Sequence, residues 1–142
     1  MPVIVWMVLI FAGSTDVLSA EHTSRFLIPF LRWLDPSISF QMIAAIHLTL
    51  RKLGHLTEYA ILAILLWRAL RGTFTAFSRR FIAGITFLVA ASFAASDEFH
   101  QSFVPTRTAT VHDVFIDCVG VAVAIVICVV FSRASVASAS SR

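Results

Sequence analysis

The sequence predicts an all-α integral membrane protein: a bundle of four transmembrane helices with amphipathic interfacial helices between spans 1 and 2. Three observations carry that prediction. The chain is 58% hydrophobic and only 13% charged, with a mean hydropathy of +0.88, and a soluble domain would carry about twice that charge fraction. Its apolar residues fall in runs of helix-spanning length. Its acids and histidines gather at the ends of those runs instead of scattering along the chain. The 142 residues need only one domain. A membrane domain is expected over 1–131, followed by a disordered cytoplasmic Ser/Ala tail over 132–142.

The first apolar run, Pro2–Gly13, is read as span one. Its twelve residues reach only about 18 Å as a helix, short of a hydrocarbon core of roughly 30 Å. The helix therefore starts at the first residue, or the true start lies upstream of Met1. No basic segment precedes it in the manner of a secretory signal. Glu21–Leu53 is a long connection with two amphipathic helices. One runs from Thr23 or Ser24 to about Leu34, with Phe26, Leu27, Phe30, Leu31 and Leu34 at helical spacing. The other runs from Ser37 to about Leu53, opened by Asp35-Pro36 as cap and first helical residue. Both read as lying in the membrane interface. Leu53–Leu70 is span two, Gly72–Arg80 a polar loop and Phe81–Ser96 span three. Span three is rich in small residues that suit close helix packing. Glu98–Thr110 reads as a loop and Val111–Phe131 as span four.

Basic residues in short loops set orientation. Arg71, Arg79 and Arg80, with Arg68 just before them, share a loop that holds no acid. That loop is expected in the cytoplasm of a cell (inner or plasma) membrane protein. Four spans then place both termini inside as well. All eight acids and all five histidines fall at the opposite, outward end. Nucleic acid is excluded as a partner because no basic run interleaved with aromatics occurs on a soluble domain. Cys118 and Cys128 sit roughly 15 Å apart along one helix, too far to bridge. No HExxH or other tight ligand spacing appears, so neither metal nor cofactor is expected.

Polar groups from three helix ends meet at that outward end. Lys52, His55 and Glu58 are spaced i, i+3, i+6, and Tyr59 lies one turn beyond His55. Asp97, Glu98, His100 and Gln101 close span three. Asp113, Asp117 and Gly120 follow i, i+4, i+7 on span four, where Gly120 lets another helix approach. Arg107 hangs in the loop between, placed to pair with Asp113 or with an anion. Asp117, about two turns into the span, needs a partner, a proton or an ion. Plainer roles remain open. Arg107 with Asp113, or His55 with Glu58, would serve as structural pairs, and Glu98, His100 and Gln101 would satisfy backbone groups at a helix end.

The pattern Lys52-Leu-Gly-His55-Leu-Thr-Glu58-Tyr59, then Asp97-Glu98-Phe-His100-Gln101, Pro105, Arg107, Asp113, Asp117 and Gly120, resembles the VanZ-like membrane proteins. The stretch IFAGSTDVLSAEHTS looks like that family's first span and following loop. The resemblance covers roughly residues 3–131. It implies a small four-span membrane protein, and the family's namesake is associated with teicoplanin resistance. The chain departs from the pattern at Thr106, often Gly in the family, and at Asp117, often Asn.

Three functions fit these residues. A binding or shielding protein would hold the phosphate or carboxylate of a lipid-linked or lipoglycopeptide ligand with Arg107 and Lys52, among membrane lipids that share its apolar surface. A membrane enzyme acting on a lipid headgroup would use Glu98 or Asp113 as base, His55 or His100 as acid or metal ligand, and Arg107 as oxyanion clamp. A scaffold would use the polar cluster only to lock its fold.

Overall fold

The computed structural model describes residues 2–15, 20–105 and 110–140, and of residues 20–22 and 133–140 the backbone alone. Among the described residues five helices follow in order: α1 (Pro2–Gly13), α2 (Ala20–Leu34), α3 (Phe40–Thr73), α4 (Arg79–Gln101) and α5 (Val111–Ser140). Among the described residues there is no strand. α3, α4 and α5 form the bundle, and α1 and α2 pack against α3.

Three helices are long and apolar enough to cross a membrane, over Phe40–Thr73, Arg79–Gln101 and Val111–Ser132. α1 is apolar but has only 12 residues. It docks on the bundle through Ile10, Val3, Trp6 and Met7, and the Trp6 indole N–H donates to the Glu58 carbonyl oxygen at 2.9 Å. Three of the four expected spans thus correspond to helices of membrane-crossing length, and α1, the expected first span, falls short of it.

The largest departure from the sequence reading lies in α3. An interfacial helix ending near Leu53 and a separate span were expected. The structure instead has one helix of 34 residues, about 51 Å long. Its interior holds no proline and its only glycines are Gly54 and Gly72, so nothing interrupts the i→i−4 ladder where the composition turns polar. The cap also differs. Ser39 caps α3, accepting from the Met42 N–H at 3.2 Å. Asp35 instead closes a turn with Ser37, accepting from its N–H at 2.9 Å and its hydroxyl at 2.6 Å. Those bonds, the hydroxyl's first, hold the Asp35 carboxyl below its ordinary range.

α4 runs through Gln101, past the expected end at Ser96, because no breaker intervenes before Pro105. The Ser102 N–H closes it on the carbonyls of Glu98 and His100. Asp97, Glu98, His100 and Gln101 therefore sit in the last turns of a helix, where their directions are fixed.

Each bundle helix buries one stripe. On α3 it includes His55, Tyr59, Leu62, Ala63 and Leu66. On α4 it runs Ile82, Thr86, Ala90, Ala94, Asp97 and Gln101. On α5 it runs Asp113, Asp117, Gly120, Val121 and Ala124. The stripes are apolar at one end of the bundle and polar at the other. Leu88, Val123, Val126 and Phe131 are exposed on the outside, which suits contact with hydrocarbon. Alanines and Gly120 set the spacing between helices. A methyl group built on Gly120 would overlap the carbonyl oxygen of Leu56 and lie 3.1 Å from its carbonyl carbon, so α3 and α5 touch backbone to backbone.

Candidate functional site

At the polar end of the core, α5 presents Asp117, whose residue is 1% exposed. Its Oδ1 lies 3.3 Å from Nδ1 of His55 on α3. The contact has ion-pair distance but not full hydrogen-bond geometry. A carboxylate so far from water needs such a partner. Gly120, one turn away, brings the two helices close enough to make it.

A second chain of contacts runs from α5 through α3 and α4 to the end of α1. Arg51 Nη2 lies 3.6 Å from Asp113 Oδ2 and donates to Gln101 Oε1 at 3.4 Å. The Gln101 amide in turn donates to Asp97 Oδ2 and to the Ser14 hydroxyl oxygen, each at 3.1 Å. The Ser14 hydroxyl donates to Asp97 Oδ2 at 2.6 Å. Glu98 accepts from the Thr110 N–H and so ties the start of α5 to α4. Tyr59 interacts with Asp97, but neither its hydroxyl nor Asp97 Oδ1 completes a hydrogen bond. Asp97 and Asp113 are both within electrostatic reach of Asp117.

The structure therefore brings together His55, Tyr59, Asp97, Glu98, Gln101, Asp113 and Asp117. His100 turns away and stacks on Phe11 of α1, ring centroids 4.3 Å apart. His55 meets Asp117 directly and feels Glu58 only at longer range. Lys52 is exposed and lines a smaller groove with Leu48, Arg51, Thr110, His112 and Asp113. Arg107 lies outside the described residues. Two site residues escaped the sequence reading, Arg51 and Ser14. Arg51 had a signal: it precedes His55 and Tyr59 at i−4 and i−8, the spacing of the buried face. Ser14 had none, since the residues it meets are more than eighty positions away.

The cluster opens onto a cavity of about 630 Å³ between α2, α3 and the end of α1. Phe26, Leu27 and Phe30 of α2 and Leu50 of α3 form its apolar wall. Arg51, Gly54, His55 and Glu58 form its floor along one face of α3. Thr23 and His47, 3.1 Å apart, join α2 to α3 across its edge. His55 Nδ1 is closed off from solvent beside Asp117, and the His55 side chain lines the cavity floor. Gly54 is open on this side, for a methyl group there would meet no atom within 4 Å. Among the described residues no three His, Cys, Asp or Glu side chains are grouped to hold a metal ion.

No curated protein and no solved structure matches the chain. The sequence model described as VanZ/LLP1 does match, over residues 1–132. That match takes in every element that builds the polar end of the core, α1 and the bundle helices alike, and by it the chain belongs to the VanZ-like family.

Proposed function

We propose that the protein binds, and so shields, an amphiphile with an anionic headgroup, a lipid-linked or lipoglycopeptide ligand, in the cavity between α2 and α3. One observation carries this reading: the cavity joins an apolar wall from α2 to a polar floor from α3. Its volume of about 630 Å³ is in the range of small-ligand sites. An acyl chain would lie along Phe26, Leu27 and Phe30, and a phosphate or carboxylate would reach Arg51. Gln101 and Asp113 orient that guanidinium, whose planar fork suits two-pronged recognition of either anion. Arg51 thus takes the role that Lys52 was expected to share with Arg107. The basic residues Arg68, Arg71, Arg79 and Arg80 at the other end of the bundle support an outward-facing cavity. An outer-leaflet site for an acylated, carboxylate-bearing glycopeptide fits the teicoplanin association that the family resemblance implies.

The test compares Arg51→Gln with Lys52→Gln in two assays: binding of a fluorescent acidic lipid by purified protein, and teicoplanin susceptibility of expressing cells. Arg51→Gln is expected to weaken binding at least tenfold and to restore susceptibility, whereas Lys52→Gln leaves both near wild type. Equal effects from the two changes would contradict the assignment.

A second reading, an enzyme acting on the headgroup, is favoured by the His55–Asp117 pair. A carboxylate beside an imidazole that lines a ligand cavity is an arrangement for general-base chemistry. Release of headgroup or fatty acid by wild type, lost in His55→Gln while binding persists, would support it.

A further inference from the structure

The floor of the cavity holds charges of both signs. Arg51 and Glu58 both line it. Seven residues apart, they project from nearly the same side of α3, separated by about 10 Å along the helix axis. His55 lies between them and is within electrostatic reach of both. A headgroup carrying an anion and an amine would match the floor along its length. In an ethanolamine phosphate the two charges are about four bonds apart, and one charge-assisted hydrogen bond of roughly 2.8 Å at each end extends its reach to about the 10 Å of helical rise between the two residues.

We infer that the cavity selects a zwitterionic amphiphile with a primary amine, its phosphate on Arg51 and its ammonium on Glu58. This rests on the amphiphile-binding reading above and sharpens it. A primary ammonium donates hydrogen bonds to a carboxylate, whereas a trimethylated one has no N–H to give. The site therefore distinguishes ethanolamine from choline as well as from glycerol headgroups. The apolar wall of Phe26, Leu27 and Phe30 requires the acyl chain, so the free headgroup alone binds poorly.

The experiment measures binding of acyl-labelled fluorescent phosphatidylethanolamine, phosphatidylglycerol and phosphatidylcholine to the full chain in neutral detergent. Soluble phosphoethanolamine serves as competitor. Wild type is expected to bind phosphatidylethanolamine about tenfold more tightly than the other two, and the soluble competitor at millimolar concentration leaves that binding unchanged. Glu58→Gln removes the preference by weakening phosphatidylethanolamine alone, while Arg51→Gln weakens both phosphatidylethanolamine and phosphatidylglycerol. The wild-type comparison stands alone if a variant fails to fold. Equal or tighter binding of phosphatidylglycerol or phosphatidylcholine overturns the inference and leaves the amphiphile reading intact. Displacement by soluble phosphoethanolamine overturns the lipid requirement. Absence of binding by all three lipids overturns the amphiphile reading itself.

Discussion

His55 and Asp117 illustrate what a polar group must find inside an apolar bundle. Asp117 is almost wholly buried, and the His55 ring lies 3.3 Å from its carboxylate. Removing one member of a buried pair strands the other, which costs about 3–5 kcal/mol, whereas replacing both by apolar groups is often near neutral. His55→Leu is therefore expected to lower the melting temperature sharply in detergent, and His55→Leu with Asp117→Leu to recover most of the loss. Additive losses in the double variant would contradict the pairing. The sequence made the depth of Asp117 readable, because a carboxylate within an apolar run has few alternatives. It did not reveal the partner. His55 has an acid three residues ahead at Glu58, yet the ring turns to another helix. Arg51 and Lys52 show the same limit. Each opens a helical face that passes through His55 or its neighbours, and only the direction of α4 and α5 decides which of the two turns inward.

On the scale of elements, two glycines in helices do opposite work. Gly120 is required by the carbonyl of Leu56 pressed against it, while Gly54 faces open cavity. Gly120→Ala is expected to lose about 1–3 kcal/mol of stability, as overpacking does, because the obstructing atom is backbone and cannot rotate aside. Gly54→Ala is expected to be neutral or to gain up to about 1 kcal/mol from helix propensity. Melting temperatures that fall equally in both would contradict this contrast. The role of Gly120 was legible from its place on the Asp113–Asp117 face. The unbroken length of α3 was not, because a drop in hydropathy looks like a boundary although no chemical stop signal accompanies it. Spin labels at Met42 and Gly72, with Cys118 and Cys128 replaced by serine, should lie about 45 Å apart if thirty residues form one rod. A markedly shorter distance would indicate a hinge near Leu53.

On the scale of the whole molecule, the composition foretold an all-helical membrane protein, and the three long apolar helices agree. The span count was harder to read, since α1 is apolar throughout but short. Its partner contacts, Trp6 on Glu58 and Ser14 on Asp97, come from residues far along the chain that no local pattern connects. The cavity was invisible for a similar reason: its wall and floor belong to α2 and α3, and its volume exists only once those helices are placed. If α4 crosses the membrane, cysteines introduced at its caps, Ser78 and Ser102, should label from opposite sides, with Ser78 reached from the cytoplasm. Labelling of both from one side would contradict the crossing.

Whether the cavity is a binding site or a packing gap is open to direct measurement at Gly54. Gly54→Phe fills the cavity from its floor, where the first added atom meets no other. Affinity for an acyl-labelled fluorescent phospholipid is measured alongside the melting temperature for wild type and this variant. At least a tenfold loss of affinity is expected with the melting temperature unchanged or raised, and undiminished binding by the folded variant would contradict a ligand site in this cavity.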